Sequence, residues 1–301
     1  MVNSSMTSQP SQWPLVSIIT LNYNKAEVTR DLLISLRAIS YPRVEIIVVD
    51  NASVDKSFLR LKNEFPHIQL IPSPINLGFA GGNNLGMKAA KGDLLLLINN
   101  DVEVVKGFLE PMVRLFQKER TGMVSPKIIY FQRGEQIQYA GSHGINPWTG
   151  RGKKDGQLKV DQGQYDFVRE TELVHGACMM VSRALVEEVG MFDESFFIYY
   201  EEHDWAVRAK LKGFKLYYTG ESKIYHKESI TTGKESPFKT YFMAKNRILF
   251  LKRNVPYPAR FISLFVFFFA AVPKKIVKSL LIADFKNISA LLRGILWHVG
   301  V

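Results

Sequence analysis

Largely apolar runs alternating with helical segments constrain this chain most. Val16-Ser17-Ile18-Ile19-Thr20-Leu21 reads as a buried strand, and residues 26–39 follow with Val28, Leu32, Leu33, Leu36 and Ile39 at helical spacing. Val44 to Val49 is a second buried strand, ending at Asp50-Asn51; Ser53-Val54-Asp55 then reads as the cap of another helix. Ile68 to Ile71 is a short strand, Gly82 to Ala90 a helix, and Leu94 to Ile98 a strand ending in Asn99-Asn100-Asp101. Apolar strands separated by helices predict an α/β fold: a parallel sheet covered on both faces. Such sheets bind ligands at the carboxyl ends of their strands. Three strands here end in polar clusters, Asn22-Tyr23-Asn24, Asp50-Asn51 and Asn99-Asn100-Asp101, which the fold would bring onto one rim.

The second half is less regular. Residues 131–170, rich in Gly, Gln and charge, read as loop or short strands. Glu172 to Ser182 is expected to be a strand, as are Phe214 to Tyr218 and Lys223 to His226. Residues 201–212 and 238–252 read as helices, the second containing Lys245-Asn246-Arg247. Cys178 reads as an ordinary buried thiol.

Composition narrows the partners. With 47% hydrophobic and 22% charged residues, the chain is expected to fold rather than stay disordered. Its 301 residues allow one large domain or two smaller ones. The single cysteine excludes a disulfide framework and a thiolate zinc site, and fits a reducing compartment. The net charge of +11 calls for an anionic partner. Residues 252–301 carry eight Lys/Arg against one acid, Asp284, so most of the excess lies in this tail. The basic residues cluster with bulky aliphatics rather than stacking aromatics, which argues against nucleic acid. Met1 to Pro14 is polar, without a basic stretch leading into an apolar core, so no signal peptide is expected.

Three clusters carry candidate chemistry. Asn99-Asn100-Asp101, at the end of a buried strand, could hold Mg²⁺ or Mn²⁺ together with substrate phosphates, although turn chemistry alone accounts for such a sequence. Glu201-Glu202-His203-Asp204 opens a helix, where acids favour the dipole. Beside Phe196, Phe197, Tyr199 and Tyr200, however, a carboxylate should have a raised pKa, as suits a general base. Gly78-Phe79-Ala80-Gly81-Gly82-Asn83-Asn84-Leu85-Gly86 lacks the dinucleotide spacing, yet a glycine-rich helix start can admit phosphates to the backbone. His226, a lone histidine ending a strand, is by itself more often structural than a ligand.

Several of these motifs together resemble glycosyltransferase family 2, in particular its rhamnosyltransferase-like enzymes of bacterial surface polysaccharide assembly. They are Val16 to Asn24, Val48-Val49-Asp50-Asn51-Ala52-Ser53, Asn76 to Asn83, Leu97 to Asp101, and Phe192-Asp193-Glu194 through Asp204. The resemblance covers residues 15 to about 255. It implies a GT-A fold, Rossmann-like and mostly parallel, and a metal-dependent, inverting transfer from a nucleoside diphosphate sugar. Thr20, Asn22 and Asp50 then match positions that hold the nucleoside. Asn24, Asn51, Asn76, Gly78, Asn83, Asn99 and Asn100 lie in the same donor motifs. Asp101 matches the metal-binding acid and His226 a histidine that completes the metal site in some relatives. Glu202 matches the catalytic base, with Glu201 beside it and Asp204 placed to orient acceptor or base. One departure is that many relatives carry two acids in the metal motif, where this chain has Asn99 and Asn100 before Asp101.

The implied organisation is a flexible tail over 1–14, a catalytic domain over 15–255 with a donor half (15–105) and an acceptor half (106–255), and a membrane-associating tail over 256–301. Phe261 to Val272 is too short to span a bilayer. Residues 275–296 place Val277, Leu281, Phe285, Ile288, Leu292 and Ile295 along one helical stripe, with Lys275, Lys278, Lys286 and Arg293 beside it. That pattern fits either a helix packed on the domain or an interfacial helix on an anionic membrane, which would put the enzyme peripherally at the cytoplasmic face of the plasma membrane near a saccharide or lipid-linked acceptor. Rhamnose on dTDP is the donor the subgroup suggests; hexoses on UDP stay open. The alternatives are a sugar nucleotidyltransferase, which would need a triphosphate loop where Asn22-Tyr23-Asn24-Lys25 stands, and a non-catalytic nucleotide-sugar-binding subunit.

Overall fold

Neighbouring side chains of the first strand, Ile18 and Ile19, point to opposite faces of the sheet, and both are fully buried. The sheet is therefore covered on both sides, as its apolar strands require. The computed structural model describes residues 13–227 and 236–300. In chain order they form β1 (Val16–Asn22), α1 (Ala26–Leu36), β2 (Val44–Asp50), α2 (Leu59–Glu64), β3 (Gln69–Pro72), α3 (Gly78–Ala89), β4 (Leu94–Ile98), β5 (Val102–Val104), α4 (Leu109–Leu115), β6 (Thr121–Tyr130) and β7 (Ile137–Tyr139). There follow β8 (Ser142–Asn146), β9 (Arg151–Lys154), β10 (Val168–Glu170), β11 (Cys178–Ser182), α5 (Arg183–Val189), α6 (Glu201–Leu211), β12 (Lys215–His226), α7 (Pro237–Asn254), α8 (Ala259–Val266), α9 (Val272–Leu281) and α10 (Phe285–Leu296).

The main sheet has the order β10-β12-β6-β11-β4-β1-β2-β3, with β5 on β12 and β7 on β6. β1, β2, β3 and β4 pair in parallel. β11 enters between β4 and β6 antiparallel to both, and β12 runs parallel to β6. One core packs α1 and α4 against Ile18, Val48 and Leu96; the other packs α3, α5 and α6 against Ile19, Ile47 and Leu97. This is a GT-A-like α/β fold with a mixed, mostly parallel sheet. The strand order reverses direction beside β1, and ligand crevices form at such switch points.

Several elements differ from the sequence reading. α2 begins at Leu59, because Ser53 caps nothing: its backbone N–H and hydroxyl both donate to Asp50. α3 begins at Gly78 rather than Gly82, since glycine tolerates the left-handed start at φ 69°. Only Cys178–Ser182 of the expected strand 172–182 is a strand, and 214–218 and 223–226 are one strand joined across an irregularity. Of the expected tail over 1–14, residues 1–12 lie outside the described residues.

The basic tail is not one helix over 275–296. α8 runs through a π-helical turn at Phe267–Ala271 into α9, and the chain breaks before α10. Ala283 is left-handed at φ 52°, and the Asp284 side chain caps α10 by accepting from the Asn287 N–H. α10 packs on α7 through Asn287, Ala290, Leu291 and Gly294, and of the predicted stripe Ile295 packs beside them. A Cβ at Gly294 would lie 2.5 Å from the Tyr241 carbonyl oxygen, so glycine sets the close approach of the two helices. Val277, Leu281, Phe285 and Leu292 of the stripe are consequently exposed, as are Phe261, Phe265 and Phe269. No helix among the described residues is long and apolar enough to cross a membrane.

Candidate active site

A cavity of about 640 Å³ opens at the carboxyl ends of β1, β2 and β4, a size that suits a small-molecule ligand. Its donor-side wall contains Tyr23, Asn51, Asn76, Gly78, Phe79, Asn99, Asn100 and Asp101. The opposite wall contains Gln138, Lys154, His175, Gly176, Glu201, Glu202 and His226. Residues named from the sequence as donor-binding, metal-binding and catalytic thus meet in one space.

Other predicted residues stand behind this wall. Asn22 is fully buried; its amide donates to Asp50 Oδ1 at 2.7 Å and to Ser53 at 3.1 Å, while its Oδ1 accepts from Thr29 at 2.8 Å. Asn100 donates to that same Thr29 hydroxyl at 3.0 Å, which ties the end of β4 to the ends of β1 and β2. Asp50 is spent on Asn22 and Ser53, and Asn24 holds the Val54 N–H. Thr20 is fully buried and its hydroxyl has no partner. Asn83 donates to the Phe79 carbonyl within α3. Thr20, Asn22, Asn24, Asp50 and Asn83 therefore support the rim rather than line the cavity. The Asn51 amide donates to Asn76 and to the Gly78 carbonyl, fixing the lining loop.

The glycine-rich stretch does not present a free helix start. The Ala80 N–H donates to the Phe197 carbonyl at 3.0 Å, and a Cβ at Gly78 would lie 2.4 Å from that oxygen. What approaches the backbone here is the 196–200 loop. The remaining glycines pack the helix: Gly82 faces Leu21 and Gly86 faces Ile19.

That loop sets up the acids. Phe197, Tyr199 and Tyr200 are left-handed, with φ of 64°, 69° and 76°, a costly conformation for bulky residues. Buried Asn246 of α7 holds it, its amide lying 2.7, 2.8 and 2.8 Å from the carbonyls of Phe196, Ile198 and Tyr199. Lys245 adds a bond to the Ser195 carbonyl at 2.6 Å. Glu201 and Glu202 then open α6, where the helix dipole favours negative charge.

The two acids differ. Burial, reinforced by the charge of Glu202, pushes Glu201 well above the usual carboxylate range. Burial alone would raise Glu202 as well, but His203 and Lys154 outweigh it and hold Glu202 below that range. The expectation of a raised pKa thus holds for Glu201 and fails for Glu202, the acid beside His203. Glu202 Oε1 lies 3.2 Å from His203 Nδ1, and its Oε2 is buried with no partner. Asp204 does not line the cavity: Arg208 and Asn254 donate to its oxygens at 2.8 and 2.9 Å, tying α6 to the end of α7.

Asp101 and His226 are buried together, with Oδ1 and Nε2 3.1 Å apart. His226 Nδ1 lies 2.7 Å from Gln138 Oε1; a hydrogen held there would free the Nε2 lone pair for a metal beside the carboxylate. Two electron-rich atoms at this spacing fit neighbouring ligands on an octahedral ion with bonds of about 2.1 Å. No group of three or more His, Cys, Asp or Glu suited to a metal exists among the described residues. Two protein ligands suffice where substrate phosphates supply the rest.

Lys154, His175 and Gln138 had no sequence signal. Lys154 Nζ lies 3.0 Å from His175 Nε2, and burial, then Lys154, pushes His175 well below its ordinary value, so the ring is neutral. Lys154 arrives on the β8–β9 hairpin, within the stretch read only as loop or short strands.

A switch-point cavity lined by paired acids and by a buried Asp–His pair is the setting a nucleotide-sugar transferase needs. The model of glycosyl transferase family 2 matches residues 17–190, more than half the chain, and the protein belongs to that family. It is 28% identical over 239 residues to the low-salt glycan biosynthesis hexosyltransferase Agl10 of Haloferax volcanii, covering 78% of this chain and 74% of that protein. It is 22% identical over 264 residues to an N-acetylglucosaminyl-diphospho-decaprenol L-rhamnosyltransferase of Mycobacterium tuberculosis, covering 79% of this chain and 84% of that one. In structure it resembles the Pyrobaculum calidifontis mannosyltransferase PcManGT, solved with GDP-Man and Mn²⁺, at a TM-score of 0.60 and 16% identity, covering 96% of this chain and 89% of that one. The chain is accordingly a family 2 glycosyltransferase, which sets aside the nucleotidyltransferase and the non-catalytic subunit.

Proposed function

We propose that the protein transfers a sugar, with inversion, from a nucleoside diphosphate donor to a saccharide or lipid-linked acceptor in cell-surface polysaccharide synthesis. The observation that carries this is Glu202: an ionised carboxylate with one unpartnered oxygen in the cavity. A carboxylate so placed accepts the proton of an acceptor hydroxyl. The hydroxyl oxygen forms the bond to the anomeric carbon as the bond from that carbon to the diphosphate oxygen breaks on the opposite face. The electron pair leaves with the nucleoside diphosphate, and the proton goes to Glu202. Glu201, kept protonated, leaves Glu202 as the single base of the pair and can donate to the sugar.

Asp101 and His226 would hold Mg²⁺ or Mn²⁺, whose charge stabilises the diphosphate as it departs. Lys154 adds positive charge from the acceptor side. Tyr23 offers the base an aromatic surface, and Asn51, Asn76, Asn99 and Asn100 line the donor's course. The names of the relatives support a donor such as dTDP-rhamnose or a UDP- or GDP-hexose. The exposed aromatics of α8 and the basic residues of α9 and α10 support peripheral contact with an anionic membrane, at the cytoplasmic face where such donors are made. NMR of the first product bond tests the reaction: inversion relative to the donor is expected, and retention would refute direct displacement.

A further inference from the structure

A second cavity, of about 300 Å³, lies between α7 and the C-terminal helices. Lys239 lines both cavities, and Tyr200, next to the paired acids, lines the inner end of the second. Its walls are of two kinds. Lys239, Arg247 and Lys275 bring cations, and Phe267 and Leu291 bring apolar surface. No acidic side chain is among the described residues that line it. The Arg247 guanidinium lies 4.9 Å from the centre of the Phe267 ring and donates to the Thr149 carbonyl at 2.7 Å, while its Nε is buried without a partner. A half-buried guanidinium that shares a cavity with two lysines and no lining carboxylate is complementary to an anion. Phe267 belongs to the segment whose outer face exposes Phe261, Phe265 and Phe269, and Leu291 to α10, which exposes Phe285 and Leu292. An amphiphile entering from that side would meet carbon surface and cations together.

We propose that this cavity seats the anchor of the acceptor, a lipid diphosphate. Its phosphates lie against Arg247, Lys239 and Lys275, and its first carbon units lie against Phe267 and Leu291. The sugar carried on the diphosphate then passes Tyr200 into the larger cavity and reaches Glu202. This inference rests on Glu202 being the base for transfer, and it makes the acceptor a lipid-linked sugar rather than a free saccharide.

The test uses the full chain with farnesyl diphosphate as a soluble probe, followed by calorimetry. Wild type should bind it, UDP with Mn²⁺ should not displace it, and inorganic pyrophosphate or farnesol alone should bind at least about tenfold more weakly, about 1.4 kcal/mol. Arg247→Ala and, on the outer helix, Lys275→Glu should each weaken the probe by a similar factor. Each should also raise the acceptor KM more than it lowers kcat, with the affinity for UDP and Mn²⁺ retained. That retained affinity shows that a variant is folded. Equal probe binding in Lys275→Glu and wild type, or displacement by UDP, would overturn the assignment. Displacement by phosphatidylglycerol vesicles would assign the cavity to bulk lipid and overturn it too. Glu202→Gln should bind the probe like wild type, so a failure of the base assignment shows in turnover and a failure of this site shows in probe binding.

Discussion

Replacing Asn246 should damage catalysis from α7 without touching either substrate. Its amide lies within 2.8 Å of three carbonyls in the loop that precedes the acids, and its side chain is fully buried. The amide has two hydrogens, so Asn246→Ala removes about two good hydrogen bonds. It also strands their acceptors in the interior, for a loss of about 2–4 kcal/mol. The loop stores comparable strain, because left-handed conformations at Phe197, Tyr199 and Tyr200 cost of order 1–3 kcal/mol each. Without the clamp the loop should relax, and Glu201 and Glu202 should move with it. A misplacement of about 1 Å can cost about 10²-fold in rate. Scanning fluorimetry should show Tm falling by about 3–6 °C. Steady-state transfer should show kcat falling about 10²-fold with donor affinity nearly unchanged, since Asn51, Asn99 and Asn100 stand on the other wall. Asn246→Asp keeps the shape but turns a donor toward carbonyls into an acceptor, and should be at least as damaging as alanine. The reasoning fails if Asn246→Asp keeps wild-type kcat, or if Asn246→Ala loses stability while kcat stays within about threefold.

Other outcomes follow from the same geometry. Gln138→Leu should weaken Mn²⁺-dependent donor binding by about 10–100-fold through its hold on His226, and Asp101→Ala by at least as much; calorimetry with and without Mn²⁺ reads both, and unchanged affinities would count against the metal pair. Burial raises the pKa of Glu201, so folding retains a proton there that the unfolded chain releases; this stabilisation is complete below the usual carboxylate value and is lost as pH rises through the raised one. Glu201→Gln should therefore melt above wild type at mildly alkaline pH, with the difference closing in acid, and a pH-independent difference would refute it. Serine at Phe261, Phe265 and Phe269 should abolish co-sedimentation with anionic vesicles at unchanged Tm, because these side chains are exposed; persistent binding would remove the membrane contact from the account. Those substitutions are a cleaner test than deleting 256–301, which would uncover Ala244 and Ile248 of α7.

The donor wall was legible because its residues follow directly on apolar strands, so strand periodicity alone places Asn51, Asn99, Asn100 and Asp101 on one rim. Which polar residues face the cavity was not legible. Thr20 and Asn22 lie on β1 itself, and Asp50 ends β2 with both oxygens taken by neighbours, a hydrogen-bonding outcome that no spacing encodes. Asn246 acts across about fifty residues of sequence, and Lys154 sits on a hairpin without an apolar pattern, so neither leaves a local signal. In the tail, amphipathic periodicity found the helices but not which residues meet α7. Small residues at Ala290 and Gly294 set the close packing on α7, Leu291 and Ile295 join it, and Val277, Leu281, Phe285 and Leu292 stay exposed. The acids were found by pattern, but their difference in protonation depends on His203 and on distant Lys154.

The central claim is that Glu202 takes the acceptor proton. Its most direct measurement is the turnover of Glu202→Gln on a lipid-linked sugar acceptor, with donor affinity determined on the same preparation. The account predicts a loss of about 10²–10⁴-fold in kcat with donor affinity unchanged. Turnover within a few-fold of wild type would contradict it.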